Sequence, residues 1–260
     1  MCVVVIITGH GRFPLIVLHG RDESLARPTT PVQLRGEVLC GVDGQAQGTW
    51  CGANLVSGRA VFLTNFRTAD LPGPPKRSRG TLVMELLEGG AGGERTEYGL
   101  YNLALCNLFR AAEPVVFESN AEGVVRVPLA APGVHVFSNS ERVNDDTWPK
   151  VRWLRQEAAR VMEELREEGD EATVRERLAA LLCSREDHPF REAAEEPESA
   201  LERQLRRRVF LRLPGYGTRT HTCAMAKADG TATYAVRMVD EETGEPEKQW
   251  STWHLPVNEQ

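Results

Sequence analysis

The sequence predicts an α+β protein built on antiparallel sheets, with a helical block set between two runs of strands. Three observations predict it. Residues 2–8 are apolar and β-branched, and after Gly9-His10-Gly11 a second apolar run covers 14–19. That pattern reads as a β-hairpin buried on both faces. The hydrophobic period then changes from two to that of a helix near Trp148 and changes back after Pro214. Finally, Ala228-Asp229-Gly230 between β-rich segments 220–226 and 231–239 is a hairpin signal. Strands, then helices, then strands suit packed layers of sheet and helix better than alternating βαβ units.

The elements between these markers follow from local chemistry. Residues 58–66 alternate as a strand does. Residues 70–80 are rich in proline and basic residues and read as an exposed loop. Ser78 is placed to cap a short helix through Leu87, which Gly89-Gly90 ends. Residues 98–108, 114–118, 123–129 and 134–138 read as a series of strands. Asp146-Thr147 before Trp148-Pro149 marks a helix start, since proline is tolerated in a first turn. From there to Gly169, Val151, Leu154, Ala158, Val161, Met162 and Leu165 recur at helical spacing. A second helix is expected over 171–182, a solvated acidic loop over 187–199, and a last strand over 250–255.

Composition excludes several classes. A 260-residue chain with 41% hydrophobic and 26% charged residues can bury a core without a metal or disulfide staple. The formal net charge of −6 argues against non-specific nucleic-acid binding. The longest apolar run, Val3 to Ile7, is too short to span a bilayer, and no secretory leader is evident. Cysteines 2, 40, 51, 106, 183 and 223 form no CxxC pair, so reduced thiols in a cytoplasmic setting are expected. The six histidines show no metal-ligand spacing, and no metal is expected.

Cys2 carries the most chemistry. Loss of Met1 would put a thiol and a free α-amine on one residue. The amine's ordinary pKa, near 8, lets it serve as a base at neutral pH, so the nucleophile needs no separate histidine. The hairpin returns its second strand beside the first, which brings Arg21 and Asp22 near Cys2. A guanidinium there would favour the thiolate. Trp50 is placed to line a pocket, and Gly215-Tyr216-Gly217-Thr218 to form a tight loop at the site.

These residues have a wider pattern. Met-Cys before an apolar strand, Gly20-Arg21-Asp22-Glu23, Arg27-Pro28, Gly48 through Asn54, Leu63-Thr64-Asn65-Phe66-Arg67, Gly133 through Asn139, and Pro214 through Thr220 occur in order. The sequence resembles the NRDE family, also called the transport-and-Golgi-organisation protein 2 family, over nearly its whole length. One departure stands out: the family motif begins with Asn where this chain has Gly20.

The resemblance implies one domain over 1–260, with a four-layer αββα sandwich of the N-terminal-nucleophile (Ntn) hydrolase type. Bile-salt and penicillin V acylases share that chemistry, and by motif the implied site is Cys2, Arg21, Asp22, Asn54, Asn139 and Arg219. Glu23 is an alternative to Asp22 as the carboxylate. Asn139, a backbone N–H or Asn54 would stabilise an oxyanion, and the two arginines would surround the thiolate with positive charge. Two functions follow as expectations. One is a hydrolase acting on a small amide or acyl thioester and needing no cofactor. The other is a binding protein for haem, lipid or acyl-CoA cargo, linked to haem mobilisation and to Golgi or mitochondrial association in eukaryotic relatives.

Overall fold

The computed structural model describes residues 2–66, 75–165, 169–192, 196–197 and 199–255. Arg67, part of the predicted loop over 70–80 and part of the acidic stretch lie outside these. The chain is α+β, with two antiparallel sheets and, among the described residues, four α-helices.

The first sheet begins with β1 (Val3–His10) and β2 (Phe13–Ser24). The predicted hairpin is present, but β2 runs five residues past the apolar stretch, so Arg21 and Asp22 are strand residues. The second sheet is formed by β3 (Thr29–Arg35), β4 (Val38–Asp43), β5 (Cys51–Asn54), β6 (Arg59–Asn65), β7 (Tyr101–Asn107), β8 (Val116–Ser119) and β9 (Val125–Pro128), paired in sequence order. The chain returns to the first sheet with β10 (Gly133–Phe137), β11 (Arg212–Leu213), β12 (Tyr216–Ala226), β13 (Ala232–Met238) and β14 (Ser251–Leu255). Its order is β10-β1-β2-β12-β13-β14, with β11 beside β12. The loop expected over 215–218 is mostly strand. Only Gly215 turns the chain, at φ 71°, and β12 starts at the next residue.

Ser78 caps α1 (Arg79–Leu87), its side chain accepting from the N–H of Gly80. α2 spans Pro149–Glu164 with proline in its first turn, and α3 spans Glu171–Leu181 with Asp170 as its cap. α4 (Ala200–Arg207) lies in a charged stretch where no helix was expected. No helix of the described residues is long and apolar enough to cross a membrane.

Strand alternation divides the core. Val4, Ile6, Leu15 and Val17 face the second sheet and meet Phe62, Ala104 and Phe117. Val3, Val5, Ile16 and Leu18 face the other way and meet Val151 and Leu154 of α2 and Leu178 of α3. On the far side of the second sheet, Leu82, Val83 and Leu86 of α1 cover Val61, Leu63 and Leu103. Each such Val, Leu, Ile or Phe side chain, fully buried, contributes about 1.5–3 kcal/mol. β1 and β2 are thus covered on both faces, and their register is fixed by the core rather than by the turn.

Candidate active site

Two strand pairings assemble the site. Val3 pairs with Gly20 in the β1–β2 ladder, so Cys2 lies beside Arg21 and Asp22. Asp22 in turn pairs with Thr218 of β12. The Cys2 thiol points at the Asp22 carbonyl oxygen, 3.8 Å away, and is 7% exposed. It opens on a cavity of about 220 Å³ lined by Arg21, Asp22, Glu23, Arg27, Asp43, Thr49, Trp50, Leu63, Asn65, Ser78, Arg79 and Gly80. The lining combines both edges of the site: the end of the first sheet and the start of α1 on the second.

The buried groups there are held individually. Arg21 lies over the Trp50 ring, with its guanidinium carbon 3.9 Å from the centroid, and donates to Thr29 Oγ1 at 3.0 Å. Trp50 reaches this position because residue 41 of β4 is glycine: a Cβ at Gly41 would stand 2.4 Å from the indole. Thr218 Oγ1 donates to Asp22 Oδ1 at 2.6 Å, and Tyr216 donates to the Asp22 carbonyl at 3.2 Å. Arg27 donates to Asp43 at 2.6 Å. Burial alone would raise the Asp43 carboxyl, but Arg27 and the backbone N–H groups of Ala46 and Gln45 hold it below its ordinary value. Arg79 donates to the Leu100 carbonyl at 3.0 Å and makes no ion pair among the described residues.

Burial pushes the Cys2 thiol above its ordinary value. The nearby Asp22 charge adds to this, and Arg21 opposes it only weakly. Arg21 acts in the expected direction, toward the thiolate, but desolvation outweighs one guanidinium that is itself stacked on an indole and bonded to Thr29. Burial likewise raises Asp22, against the pull of Lys150 and the Thr218 hydrogen bond.

The remaining predicted residues fall at three distances. Asn139 is one residue removed from Cys2. Ser138 Oγ donates to the Cys2 carbonyl at 2.7 Å and to Asn139 Oδ1 at 2.9 Å, while Asn139 Nδ2 donates to the Asn65 carbonyl. Arg219 occupies a bulge in β12 and is not among the residues that line the cavity. It donates to the carbonyls of Ser24 and Arg27, to Thr29 and to Glu241. It therefore braces the 24–29 segment and shares the Thr29 hydroxyl with Arg21. Asn54 is not at the cavity. Its Oδ1 accepts from the N–H groups of Val56 and Ser57, and its Nδ2 donates to the Leu87 carbonyl at the end of α1. A Gly-x-Asn context does not separate a turn-closing amide from an oxyanion donor.

Three contributors carried little signal in sequence. Asn65 ends β6 and lines the cavity, Arg79 opens α1 at its rim, and Thr218 holds Asp22. Asn65 was visible only as part of the Thr-Asn-Phe motif.

The order of these groups along the chain matches a known family. The family profile described as Transport and Golgi organisation 2 matches residues 1–241. The chain belongs to that family. Relatives include proteins named Transport and Golgi organization protein 2 homolog. The one from Bos taurus is 28% identical over 92% of this chain and 91% of its own length. The one from Homo sapiens is 28% identical over 88% of each chain. Within the Transport and Golgi organisation 2 family, the departure at Gly20 has a structural setting. A Cβ there would meet Val3 at 3.4 Å and Leu182 at 4.0 Å, on the helix-facing side of β2 and away from the thiol. An amide at this position would enter the core under α3, not the cavity.

Proposed function

We propose that the chain is a cysteine hydrolase of the Ntn type, acting on a small amide or acyl thioester. The observation that carries this reading is the Cys2 thiol opening into a small polar cavity with Arg21 and Asp22 beside it. The layer order supports it too. α2 and α3 cover one sheet and α1 covers the other, with an apolar core between the sheets, an order consistent with the αββα arrangement of such hydrolases.

The steps follow from the groups at hand. Removal of Met1 frees the Cys2 α-amine, which takes the thiol proton as Sγ attacks the substrate carbonyl carbon. The carbonyl π pair moves to oxygen, and the amide of Asn65, a residue that lines the cavity, is the donor assigned to that oxyanion. Asn139 acts behind it by holding the Asn65 carbonyl. Collapse breaks the bond to the leaving group, which takes the proton from the α-ammonium. Water then hydrolyses the Cys2 thioester with the same amine as base. Proton transfer to the amine within one residue offsets the burial that otherwise keeps the thiol protonated.

Cavity size limits the substrate. About 220 Å³ is below the roughly 300–1,000 Å³ of clefts that enclose drug-sized ligands. An acyl group of a few carbons fits, and a tetrapyrrole does not. A haem or lipid carrier, the competing function, would use another surface, and the relatives' names speak of transport and Golgi organisation without giving a ligand. The test is to record hydrolysis of a panel of short acyl amides and thioesters by wild type and Cys2→Ala. Turnover that disappears in Cys2→Ala supports the enzyme. A haem absorbance shift that persists in Cys2→Ala, with no turnover in either protein, overturns it.

A further inference from the structure

Lys150 is a lysine buried where lysines are rarely found. It occupies the first turn of α2, is 0% exposed, and its Nζ has no hydrogen-bond partner among the described residues. The aliphatic stem therefore does not carry the amine out to water, as surface lysines do. One aromatic contact is available: the Trp148 ring centroid is 5.7 Å from Nζ. An isolated ammonium in such a place is strongly unfavourable unless an anion compensates it.

The anion is in the site. α2 lies across β1 and β10, on the helix-facing side of the first sheet. Asp22 has the same parity on β2 as Ile16 and Leu18, which face that helix layer. The charges that act on Lys150 are those of Asp22 and Cys2. The groups that act on Asp22 are the chain's amino terminus, Lys150 of α2, the Thr218 hydroxyl of β12 and His19 of β2. Among the described residues Lys150 is thus the buried lysine on the helix-facing side of the sheet that carries Asp22.

We propose that Lys150 is the counter-charge of the Cys2 site: its ammonium keeps Asp22 a carboxylate, and Asp22 in turn fixes the Cys2 α-amine. The second half rests on the reading under Proposed function; the Lys150–Asp22 pairing does not. Lys150 is then a positioning residue, acting through Asp22 without touching substrate. Burial opposes charge on both groups, and the attraction of each for the other works against that penalty.

The test is NMR of protein labelled with 13C-aspartate and 15N-lysine, assigned with Asp22→Asn and Lys150→Met. At neutral pH the wild type is expected to show an Asp22 carboxylate and a Lys150 ammonium. Loss of a neighbouring cation raises a carboxyl pKa, so Lys150→Met should raise the Asp22 midpoint by about one unit or more, roughly tenfold in proton affinity. Lys150→Arg should restore it. A purely packing role for Lys150 would leave the midpoint in place, and that result overturns the proposal. If Lys150→Met does not fold, the wild-type signals decide, because either group found neutral also overturns it. Inert behaviour of Cys2 toward iodoacetamide would sink the hydrolase reading while leaving the Asp22 midpoint unaffected, so the two failures are distinguishable.

Discussion

Gly48→Ala tests whether the start of α1 forms a wall of the cavity. A Cβ at Gly48 would lie 2.3 Å from the Gly80 carbonyl carbon, 2.6 Å from the Thr81 nitrogen and 2.7 Å from the Gly80 Cα. All three are backbone atoms, which cannot swing aside as a side chain can. Ordinary contact begins at 3.4 Å, so the first turn of α1 must withdraw by about 1 Å. The Thr49 N–H, which donates to the Gly80 carbonyl at 3.1 Å, would be pulled away with it. Overpacking costs about 1–3 kcal/mol and the stretched hydrogen bond about 1 kcal/mol. Urea unfolding should therefore show a loss of about 2–4 kcal/mol at unchanged m-value. Because Ser78, Arg79 and Gly80 line the cavity, the same displacement should slow any turnover by on the order of 10²-fold. Wild-type stability together with a wild-type rate would refute the packing argument.

Three further outcomes are expected. Asn54→Ala should cost about 1–3 kcal/mol by leaving two N–H groups and the Leu87 carbonyl unpaired, yet leave the alkylation rate of Cys2 unchanged; a change in that rate would return Asn54 to the site. Glu118 is fully buried between Arg95 and Arg126, each at 2.7 Å, and accepts from Tyr101 at 2.6 Å. Burial raises its pKa, but these three donors outweigh burial and hold it low. Glu118→Gln should cost about 3–5 kcal/mol, and the variant should lose less stability than wild type as pH falls below about 4.3, the ordinary value at which the depressed group begins to lose its advantage. Burial, then Arg237 and His19, push His221 down to about 3. Below about pH 6.5 the unfolded chain protonates this imidazole and the folded one does not, so stability should fall toward acid by up to roughly 1.4 kcal/mol per pH unit until about pH 3. His221→Gln should flatten that slope in urea-unfolding curves, and an unchanged slope would show that other groups set it.

What was legible in sequence followed hydrophobic pattern and turn chemistry. β1, the first half of β2, α1, α2, α3 and the β12–β13 hairpin all carry strong local signals, and the structure has them. β3, β4 and β5 carry weak ones. β3 is an edge strand that is mostly exposed and contains Pro31, the apolar run of β4 includes Gly41, which admits Trp50, and β5 has only four residues. α4 buries only Leu205 and so shows little apolar stripe. The second half of β2 is polar, and it is strand because β12 and Thr218 hold it, which is a tertiary effect. The same division applies to the site. Arg21 and Asp22 could be placed from hairpin geometry, whereas Asn54 matched a motif but serves a turn. Lys150 could not be read at all, because a lysine in a helix with charged neighbours looks like a solvent residue until the helix is packed on its sheet.

The account turns on a cysteine that carries its own amine. The direct measurement is intact mass combined with reaction of the purified protein with a cyanobenzothiazole, a reagent that condenses only with a cysteine bearing a free α-amine. The account predicts loss of Met1 and a single adduct, mapped to Cys2 and absent in Cys2→Ser. A protein that retains Met1, or a Cys2 that alkylates as an ordinary thiol without forming the cyclic adduct, would contradict it.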